Sequence, residues 1–404
     1  MNKFSRPRLG IIIHRYGENL TGGSESHCRQ VAERLVPFYD VEVLTTCAVD
    51  HLSWKNELPE TETRLNGVTI RRFPTEHERN LEKFHLIYDR IFLTQLDETQ
   101  QYEMVRWQGP YCPKLVSYVE ANRQKYDAFI VFTYLYYPAI HCLPLLKSKA
   151  VFVPTAHDEA SLYLTILDDV FRQTPHIFFN TEEEQFLLQR RFGLPDSVGT
   201  VVGLGLDDPN PGQYDDAWEP LENELADKFV LTFVGRIENG KGCDELLEFF
   251  LRFVSEEKRR DLLLLMLGRR TMPFRGHPQV LCPGYVSEFV KYHALEHTHV
   301  AVSPSPFESL CMAALESWQH AKPLLANGKS PVLVGHCIRS NGGLWYTSYQ
   351  EFREALRLLL ERDDIRLALG RSGRRYVAET YRWDTVIRTY KDVLDSIIRQ
   401  QGTV

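Results

Sequence analysis

The 404-residue sequence predicts an α/β protein made of two domains, each a doubly wound parallel sheet. Three observations support this. The chain exceeds the ~250–300 residues over which one hydrophobic core keeps growing. Short apolar runs alternate with helix-like segments along the whole chain. A segment at 203–220, rich in Gly, Pro and Asp and without periodicity, divides these runs into two groups and is predicted to be the interdomain linker.

The strand-like runs are continuous in apolar residues, which is typical of parallel strands covered by helices on both faces. In the first half they are 9–14, 41–46, 68–73, 128–134, 150–158 and 176–181. In the second half they are 229–236, 261–268, 280–285, 299–305 and 323–328. Residues 381–400 have apolar positions spaced for one face of a terminal helix. We predict domains at 1–205 and 206–384.

Composition excludes several classes of protein. The net charge of −7 gives no reason to expect a nucleic acid as partner. The longest apolar runs, such as 261–268, are far shorter than the ~20 residues that cross a bilayer. The first apolar run is too short for a signal peptide. The eight cysteines are scattered without a C-x-x-C pair, which indicates reduced thiols rather than disulfides or a zinc site. We expect a cytoplasmic protein, and docking on a membrane surface stays open.

The predicted strands have polar residues at or near their carboxyl ends, one strand after another. They are His14, Thr133, His157, Asp158, Asn180, Arg236 and Ser303. Ligands of open parallel sheets bind outside the carboxyl ends of the strands. Two such sheets facing each other are therefore expected to form one deep ligand-binding cleft.

The segment 17–35 follows the first strand and opens a helix. Gly22 and Gly23 allow close approach of the backbone to a ligand, and Ser24 is a candidate N-cap. A helix N-terminus after such a loop attracts phosphate. The segment lacks the G-x-G-x-x-G pattern of dinucleotide sites, and a flexible turn that happens to hold two glycines is the alternative.

Two further loops carry charged residues after strands. Arg236 and Lys241, five positions apart around Gly240, can direct two cations at one anion such as a diphosphate, although exposed cations are common in loops. His157 and Asp158 stand at the end of the predicted strand 150–158. No G-x-S-x-G elbow is present, which disfavours a serine hydrolase, and no third ligand at suitable spacing indicates a metal site.

The stretch 304–317 places Glu308 before an apolar helical run and Glu316 within it. If the helix begins near Ser309, the free N–H groups of 309–311 favour an anion or sugar oxygens. Glu316 is then roughly 10 Å farther along, at ~1.5 Å per residue. Two carboxylates at this spacing can accept hydrogen bonds from both ends of a nucleotide-sugar. The alternative is that Glu316 is a polar position on an amphipathic helix.

Taken together, these pieces resemble the retaining glycosyltransferases of family 4, which have the GT-B fold of two Rossmann-like domains facing a central cleft. The matching pieces are the Gly-Gly loop, 155–158, 234–242, 283–287, and the two glutamates eight residues apart. The stretch 340–356 is also similar, and the resemblance spans nearly the whole chain. In this fold the C-terminal helix, here about 385–404, is expected to pack back on the first domain.

The resemblance implies transfer of a sugar from a UDP- or GDP-sugar with retention of configuration, and it implies these roles. Arg236 and Lys241 would neutralise the diphosphate. Glu316 would hold the ribose. Glu308 and the amides of Ser309, Leu310 and Cys311 would bind the donor sugar. His157 would contact the sugar near the reacting carbon. Gly22 and Gly23 would contact the phosphates, and Arg269, Tyr285 and Val286 the base. No metal, cofactor or protein nucleophile is expected.

The sequence departs from the family after Glu308, where "SLCM" replaces a glycine-rich stretch, so the pocket for the donor sugar is expected to be more crowded. The resemblance places the acceptor, a glycan, glycolipid or small molecule, on the first domain. Trp107, Tyr111 and Tyr134 are candidates to stack on the acceptor, although aromatic residues at helical spacing are more often part of the core. His14 and Asp158 are further candidates to contact the acceptor. Polysaccharide or glycolipid assembly is the expected pathway. The sequence indicates no oligomeric state.

A sugar phosphorylase or a nucleotide-sugar epimerase of the same fold is the nearest alternative. A non-catalytic subunit would tend to lose Lys241 or Glu308, and both are present. An NAD-dependent dehydrogenase is disfavoured because G-x-G-x-x-G and its acidic ribose partner are missing.

Overall fold

The computed structural model describes residues 6–18, 20, 22–91 and 93–401. The chain divides into two compact units. The first unit contains the residues up to Leu204 together with those from Trp383 onward, and the second unit is Gly205–Arg382.

Over the described residues, the first unit contains an eight-stranded sheet in the order β3-β4-β2-β1-β5-β6-β7-β8. Its strands are β1 (Arg8–Ile12), β2 (Asp40–Thr46), β3 (Glu62–Leu65), β4 (Val68–Phe73), β5 (Ala128–Phe132), β6 (Ala150–Val153), β7 (His176–Phe179) and β8 (Thr200–Val201). Only β3 runs antiparallel to its neighbour among these strands, and it lies at the edge of the sheet.

The second unit contains, in its described residues, a six-stranded parallel sheet in the order β11-β10-β9-β12-β13-β14. Its strands are β9 (Phe229–Val234), β10 (Leu262–Leu267), β11 (Val280–Gly284), β12 (Val300–Ser303), β13 (Leu324–Asn327) and β14 (Gly343–Tyr346). All six residues of β10 are buried. Successive side chains of a strand point to opposite faces, so Leu264 joins one hydrophobic core and Leu265 the other.

Helices connect the parallel strands in both units. In the first unit they are α1 (Gly23–Leu35), α2 (Leu81–Tyr88), α3 (Glu98–Gln108), α4 (Pro113–Asn122), α5 (Tyr137–Leu146), α6 (Ile166–Arg172), α7 (Glu182–Phe192) and, after the second unit, α15 (Trp383–Gln401). In the second unit they are α8 (Trp218–Leu225), α9 (Cys243–Glu257), α10 (Glu288–His297), α11 (Met312–Gln319), α12 (Pro331–Ser340), α13 (Tyr349–Glu361) and α14 (Asp363–Thr380).

The terminal helix α15 packs on the first unit, as expected for this fold class. Its buried positions are Val386, Tyr390, Leu394 and Ile397. The ring of Tyr390 meets Phe178 of β7 edge to face at 4.7 Å. The hydroxyl of Tyr39 donates to the carboxylate of Asp395 at 2.6 Å.

The predicted fold class is confirmed, with differences in detail. The strands β3, β8 and β14 were not predicted, and β3 makes the first sheet mixed rather than wholly parallel. The helix α8 begins at Trp218, inside the segment predicted as linker. Several strands also end earlier than the apolar runs suggest. β6 ends at Val153, so His157 and Asp158 lie in the loop that follows it.

Candidate functional site

The cationic loop of the second unit follows β9. Arg236 is 44% exposed, and its guanidinium lies 3.2 Å from the carboxylate of Glu238. Lys241 ends a short 3-10 turn, Asn239–Lys241, and α9 begins two residues later. Gly242 has φ +69°, and a Cβ there would lie 2.3 Å from the carbonyl oxygen of Pro304. Glycine at 242 therefore allows the loop after β9 to pack on the loop after β12.

This packing brings Lys241 to Glu308. The ammonium Nζ donates to Oε1 of Glu308 at 2.7 Å, and the two side chains are 27% and 14% exposed. Burial lowers the pKa of Lys241, but the charge of Glu308 and the hydrogen bond to it together outweigh this effect and raise the pKa above its usual value. Lys241 is therefore a fixed cation, and two of the predicted site residues form one ion pair.

The loop from Glu308 to Cys311 differs from the expectation. α11 begins at Met312, three residues later than predicted, and Cys311 is its N-cap residue with φ +63°. The amides of Ser309, Leu310 and Cys311 therefore belong to the loop before the helix rather than to its first turn. The predicted separation of the two glutamates assumed one continuous helix, and that assumption is wrong for 308–311. Burial, followed by the charge of Glu308, raises the pKa of the Cys311 thiol to about 12.

Two buried residues that the sequence analysis missed hold this loop in place. His336 on α12 is fully buried, and its Nε2 donates to the carbonyl of Leu310 at 2.9 Å. Asn327, at the end of β13, donates from Nδ2 to the carbonyl of Pro304 at 2.7 Å. Both contacts join residues more than 20 positions apart, so no local pattern signals them.

Glu316 is one turn into α11 and does not stand alone. Lys291 on α10 donates to its Oε1 at 3.2 Å and also contacts Oε2 of Glu288 at 2.8 Å. Burial lowers the pKa of Lys291, but the charges of Glu316 and Glu288 outweigh it and raise the pKa. The alternative of a simple surface position is disfavoured, because the side chains of Glu316 and Lys291 are only 25% and 21% exposed.

The predicted base-binding residues are on nearby connections of the same unit. Tyr285, between β11 and α10, is 69% exposed, and Val286 beside it packs against the core that includes Trp218. Arg269 is exposed, and its carbonyl accepts a hydrogen bond from the amide of Ile237 at 2.9 Å. The connections after β9 and β10 are thereby joined.

The Gly-Gly loop of the first unit is arranged around Glu25. α1 begins at Gly23, and Gly22 precedes it without a side-chain cap, so Ser24 is not the N-cap that we predicted. Ser24 instead donates to Glu25 at 2.8 Å. A Cβ on Gly22 would lie 2.2 Å from the Glu25 carboxylate, which therefore covers this glycine, while the space around Gly23 is open.

His14 belongs to the same cluster. Its Nε2 lies 3.0 Å from Oε1 of Glu25, which also accepts a hydrogen bond from Arg15, and His14 is 2% exposed. Burial raises the pKa of Glu25, but the charges and hydrogen bonds of His14 and Arg15 outweigh it and lower the pKa. His14 is thus a buried partner of a carboxylate, which leaves little of its ring for an acceptor sugar.

The loop after β6 carries His157. Its Nδ1 lies 3.5 Å from Oε1 of Glu159, and the hydroxyl of Tyr134 donates to the same oxygen at 2.5 Å. Asp158 accepts a hydrogen bond from the hydroxyl of Tyr163 at 2.7 Å. Tyr134 is 2% exposed, so its ring has no free face for stacking on a sugar, and its contact is with Glu159 instead.

The same loop is tied to the end of β7 by Glu184 of α7. This carboxylate is 1% exposed and accepts hydrogen bonds from the amides of Ala156 and Asn180, the latter at 2.6 Å. Burial raises the pKa of Glu184 to about 8 despite these two hydrogen bonds. Glu184 was not recognised in the sequence.

The remaining aromatic candidates pack on one histidine. The rings of Trp107 and Tyr111 lie 4.6 and 4.9 Å from His77, and both are partly buried against the core of the first unit. Lys83 lies 4.0 Å from the Trp107 ring centroid. Part of each ring therefore belongs to the core of the first unit, which is the alternative to a sugar-stacking role.

All eight cysteines are free, and Cys282 is the one that is not buried. Within the described ranges, no group of three or more His, Cys, Asp or Glu side chains is placed to hold a metal ion. Among the helices of the described residues, none combines the length and the apolar character needed to cross a membrane.

Comparison with known proteins identifies the class. Residues 228–362, which contain Arg236, Lys241, Lys291, Glu308 and Glu316, match the family model described as Glycosyl transferases group 1. The second unit thus carries a glycosyltransferase group 1 domain, and the chain is a glycosyltransferase. No curated protein sequence matches the chain.

Solved structures with the GT-B fold resemble the whole chain at low identity. Sucrose-phosphate synthase from Thermosynechococcus elongatus is 15% identical with a TM-score of 0.72, and the match covers 98% of this chain and 100% of that one. Trehalose 6-phosphate synthase from Burkholderia multivorans is 12% identical with a TM-score of 0.74, over 98% and 100% of the two chains. Anabaena Alr3699/HepE, solved with UDP and glucose, is 12% identical with a TM-score of 0.67, over 97% and 100%. These similarities show the fold.

Proposed function

We propose that the chain is a retaining, metal-independent glycosyltransferase of family 4 that moves a hexose from a UDP- or GDP-sugar to a carbohydrate or lipid-linked acceptor. The observation that carries this proposal is the ion pair of Lys241 with Glu308, which joins the loops after the neighbouring strands β9 and β12. Ligands bind at this end of a parallel sheet. UDP is favoured over GDP because the Anabaena structure contains it.

In this proposal, the cations stabilise the leaving group. Loss of the diphosphate from the anomeric carbon builds negative charge on the phosphate oxygens and positive charge on the sugar. Lys241 is held in place before the donor arrives, and Arg236 is exposed on the same loop. Preorganised cations of this kind lower the free energy of the transition state more than mobile solvent does. They take the role that a metal ion has in other transferases.

Retention requires no protein nucleophile in this proposal. The C–O bond to the diphosphate breaks while the acceptor oxygen bonds to the same face of the sugar, and the departing phosphate oxygen takes the acceptor's proton. Glu308 and the amides of Ser309, Leu310 and Cys311 bind the donor sugar. Glu316 accepts from the ribose, and Tyr285, Val286 and Arg269 contact the base.

The first unit is proposed to bind the acceptor and to make several contacts with the donor. We assign His157 to the donor sugar and Gly22 and Gly23 to the phosphates. His157 is suited to its role, because it lies in the loop that follows β6, at the end of a parallel sheet where ligands bind. We propose a cytoplasmic enzyme of polysaccharide or glycolipid assembly, with the inner face of the membrane as a place of action when the acceptor is lipid-linked.

A thermal-shift panel tests this proposal. UDP-, GDP- and ADP-sugars are added in EDTA, and we expect one nucleotide class to raise the melting temperature, because a ligand that binds only the folded state stabilises it. Lys241→Ala and Glu316→Ala are each expected to abolish the shift. An undiminished shift in both variants would place the donor site elsewhere.

Turnover assays distinguish the related activities. A transferase releases UDP or GDP and is inhibited by that nucleotide. For a retaining enzyme, NMR of the glycosylated product is expected to show the same anomeric configuration as in the donor. Dependence of sugar release on inorganic phosphate would indicate a phosphorylase, and inversion of the anomeric centre would contradict the retaining mechanism.

A further inference from the structure

Lys291 contacts Glu316, a predicted donor-binding residue, and the sequence motifs do not include it. It is one turn into α10, which follows β11, and Glu316 is one turn into α11, which follows β12. Helices that follow parallel strands begin at the same edge of the sheet. The two side chains meet there, 25 positions apart in the sequence.

The hydrogen bonds of this pair leave capacity for a ligand. In the described part of the chain, the carboxylate of Glu316 has one partner, Lys291 on Oε1, so Oε2 is available as an acceptor. An ammonium has three N–H donors. Those of Lys291 reach Glu288 and Glu316, which leaves one donor. A free acceptor therefore lies beside a free donor.

Such a pair is complementary to two adjacent hydroxyls. One hydroxyl donates to Oε2 of Glu316, and the oxygen of its neighbour accepts from Nζ of Lys291. We propose that Lys291 is a further donor-binding residue that, together with Glu316, recognises the 2′,3′-diol of the nucleotide ribose and selects ribonucleotides over deoxyribonucleotides. This inference rests on the proposed function, since it assumes that Glu316 faces the ribose.

The expected preference for ribonucleotides over deoxyribonucleotides follows from the hydrogen-bonding groups that a deoxy analogue leaves without a partner. A deoxyribonucleotide leaves either Oε2 of Glu316 or the third donor of Lys291 without a partner. Sites built to bind a hydroxyl reject an analogue that lacks it, because their polar groups are then unpaired. Burial lowers the pKa of Lys291, but the neighbouring carboxylates raise it above its usual value, so Lys291 is a cation at neutral pH. A purely structural lysine has no such dependence on the ribose hydroxyls.

Calorimetric titration of the full chain tests the proposal with UDP, 2′-deoxy-UDP and 3′-deoxy-UDP, or with the guanine series if the protein prefers GDP. The wild type is expected to bind the ribonucleotide about tenfold or more tighter than each deoxy analogue. Lys291→Met is expected to lose that preference against one of the two analogues. Lys291→Arg keeps a cation and is expected to retain it in part.

Glu288→Gln is the matched control. Glu288 is the other partner of Lys291 and is 72% exposed. The substitution removes the charge of Glu288 and leaves the contact between Lys291 and Glu316. It is expected to keep the wild-type preference. If Lys291→Met, with an unchanged urea midpoint, prefers UDP over both analogues as strongly as the wild type does, the inference is wrong while the proposed function stands. If the wild type binds no nucleotide, both are wrong.

Discussion

Replacing Lys241 with methionine tests whether the ion pair with Glu308 is a built feature of the second unit. Methionine keeps much of the side chain's length and removes its charge. Glu308, which is only 14% exposed, then loses its cation without regaining full contact with water. The double-mutant cycle of Lys241→Met and Glu308→Gln isolates the coupling of the two residues from their other contacts.

The expected coupling can be worked from the geometry. At 2.7 Å the Coulomb attraction is about 6 kcal/mol for an effective dielectric constant of about 20. Lost hydration offsets most of this, and hydrogen bonds to charged groups contribute about 1.5–3 kcal/mol net. Because Lys241 is 27% exposed, solvent screening lowers the value further, and we expect a coupling of about 1–2 kcal/mol.

Urea unfolding of the wild type, the two single variants and the double variant measures this coupling. The matched control is the cycle of Lys329→Met with Glu245→Gln, a pair at 2.6 Å whose lysine is 51% exposed. Exposed pairs contribute about 0–1 kcal/mol, so this control is expected to couple more weakly. Equal coupling in the two cycles, or none between Lys241 and Glu308, would contradict the expectation that the less exposed ion pair contributes more to stability.

Two further outcomes follow from the structure. Gly242→Ala is expected to lower the free energy of unfolding by about 2 kcal/mol or more, because φ is +69° and the new Cβ would lie 2.3 Å from the Pro304 carbonyl. Gly276→Ala, with φ +81° and no atom within 4 Å, is expected to cost only about 1 kcal/mol, and equal losses in chemical denaturation would contradict the clash. Burial lowers the pKa of His27 to about 4, so its neutral form stabilises the protein above pH 6.5 and this contribution is lost as the pH falls toward 4. Between pH 7.5 and 5 the wild type is expected to lose about 2 kcal/mol more than His27→Leu, and parallel urea titrations at the two pH values would contradict this.

Most strands could be predicted because parallel strands buried on both faces are continuous apolar runs. The missed strands lack that signal for identifiable reasons. β3 is a polar edge strand with three exposed residues, and β8 has two residues. β14 begins at the second of two adjacent glycines, Gly342 and Gly343, and paired glycines in a sequence indicate a turn rather than a strand.

Lys241, Glu308 and Glu316 were recognised as candidates in the sequence, but Lys291 was not. Strand ends and loop spacing point to Lys241 and Glu308. The contacts of Lys291, His336 and Glu184 join segments that are distant along the chain, except that Glu184 also binds the nearby Asn180 amide. The start of α11 was misplaced because Cys311 adopts a positive φ, which residue type does not indicate for cysteine.

Hydrogen exchange measured by mass spectrometry, with and without the nucleotide that raises the melting temperature, tests whether the nucleotide binds at the loops around Lys241 and Glu308. Binding slows exchange by stabilising the segments that the ligand contacts. We expect protection in peptides that cover 236–242, 284–291 and 308–316, and no such protection in Lys241→Met at the same nucleotide concentration. Protection confined to other segments, or equal protection in Lys241→Met, would contradict it.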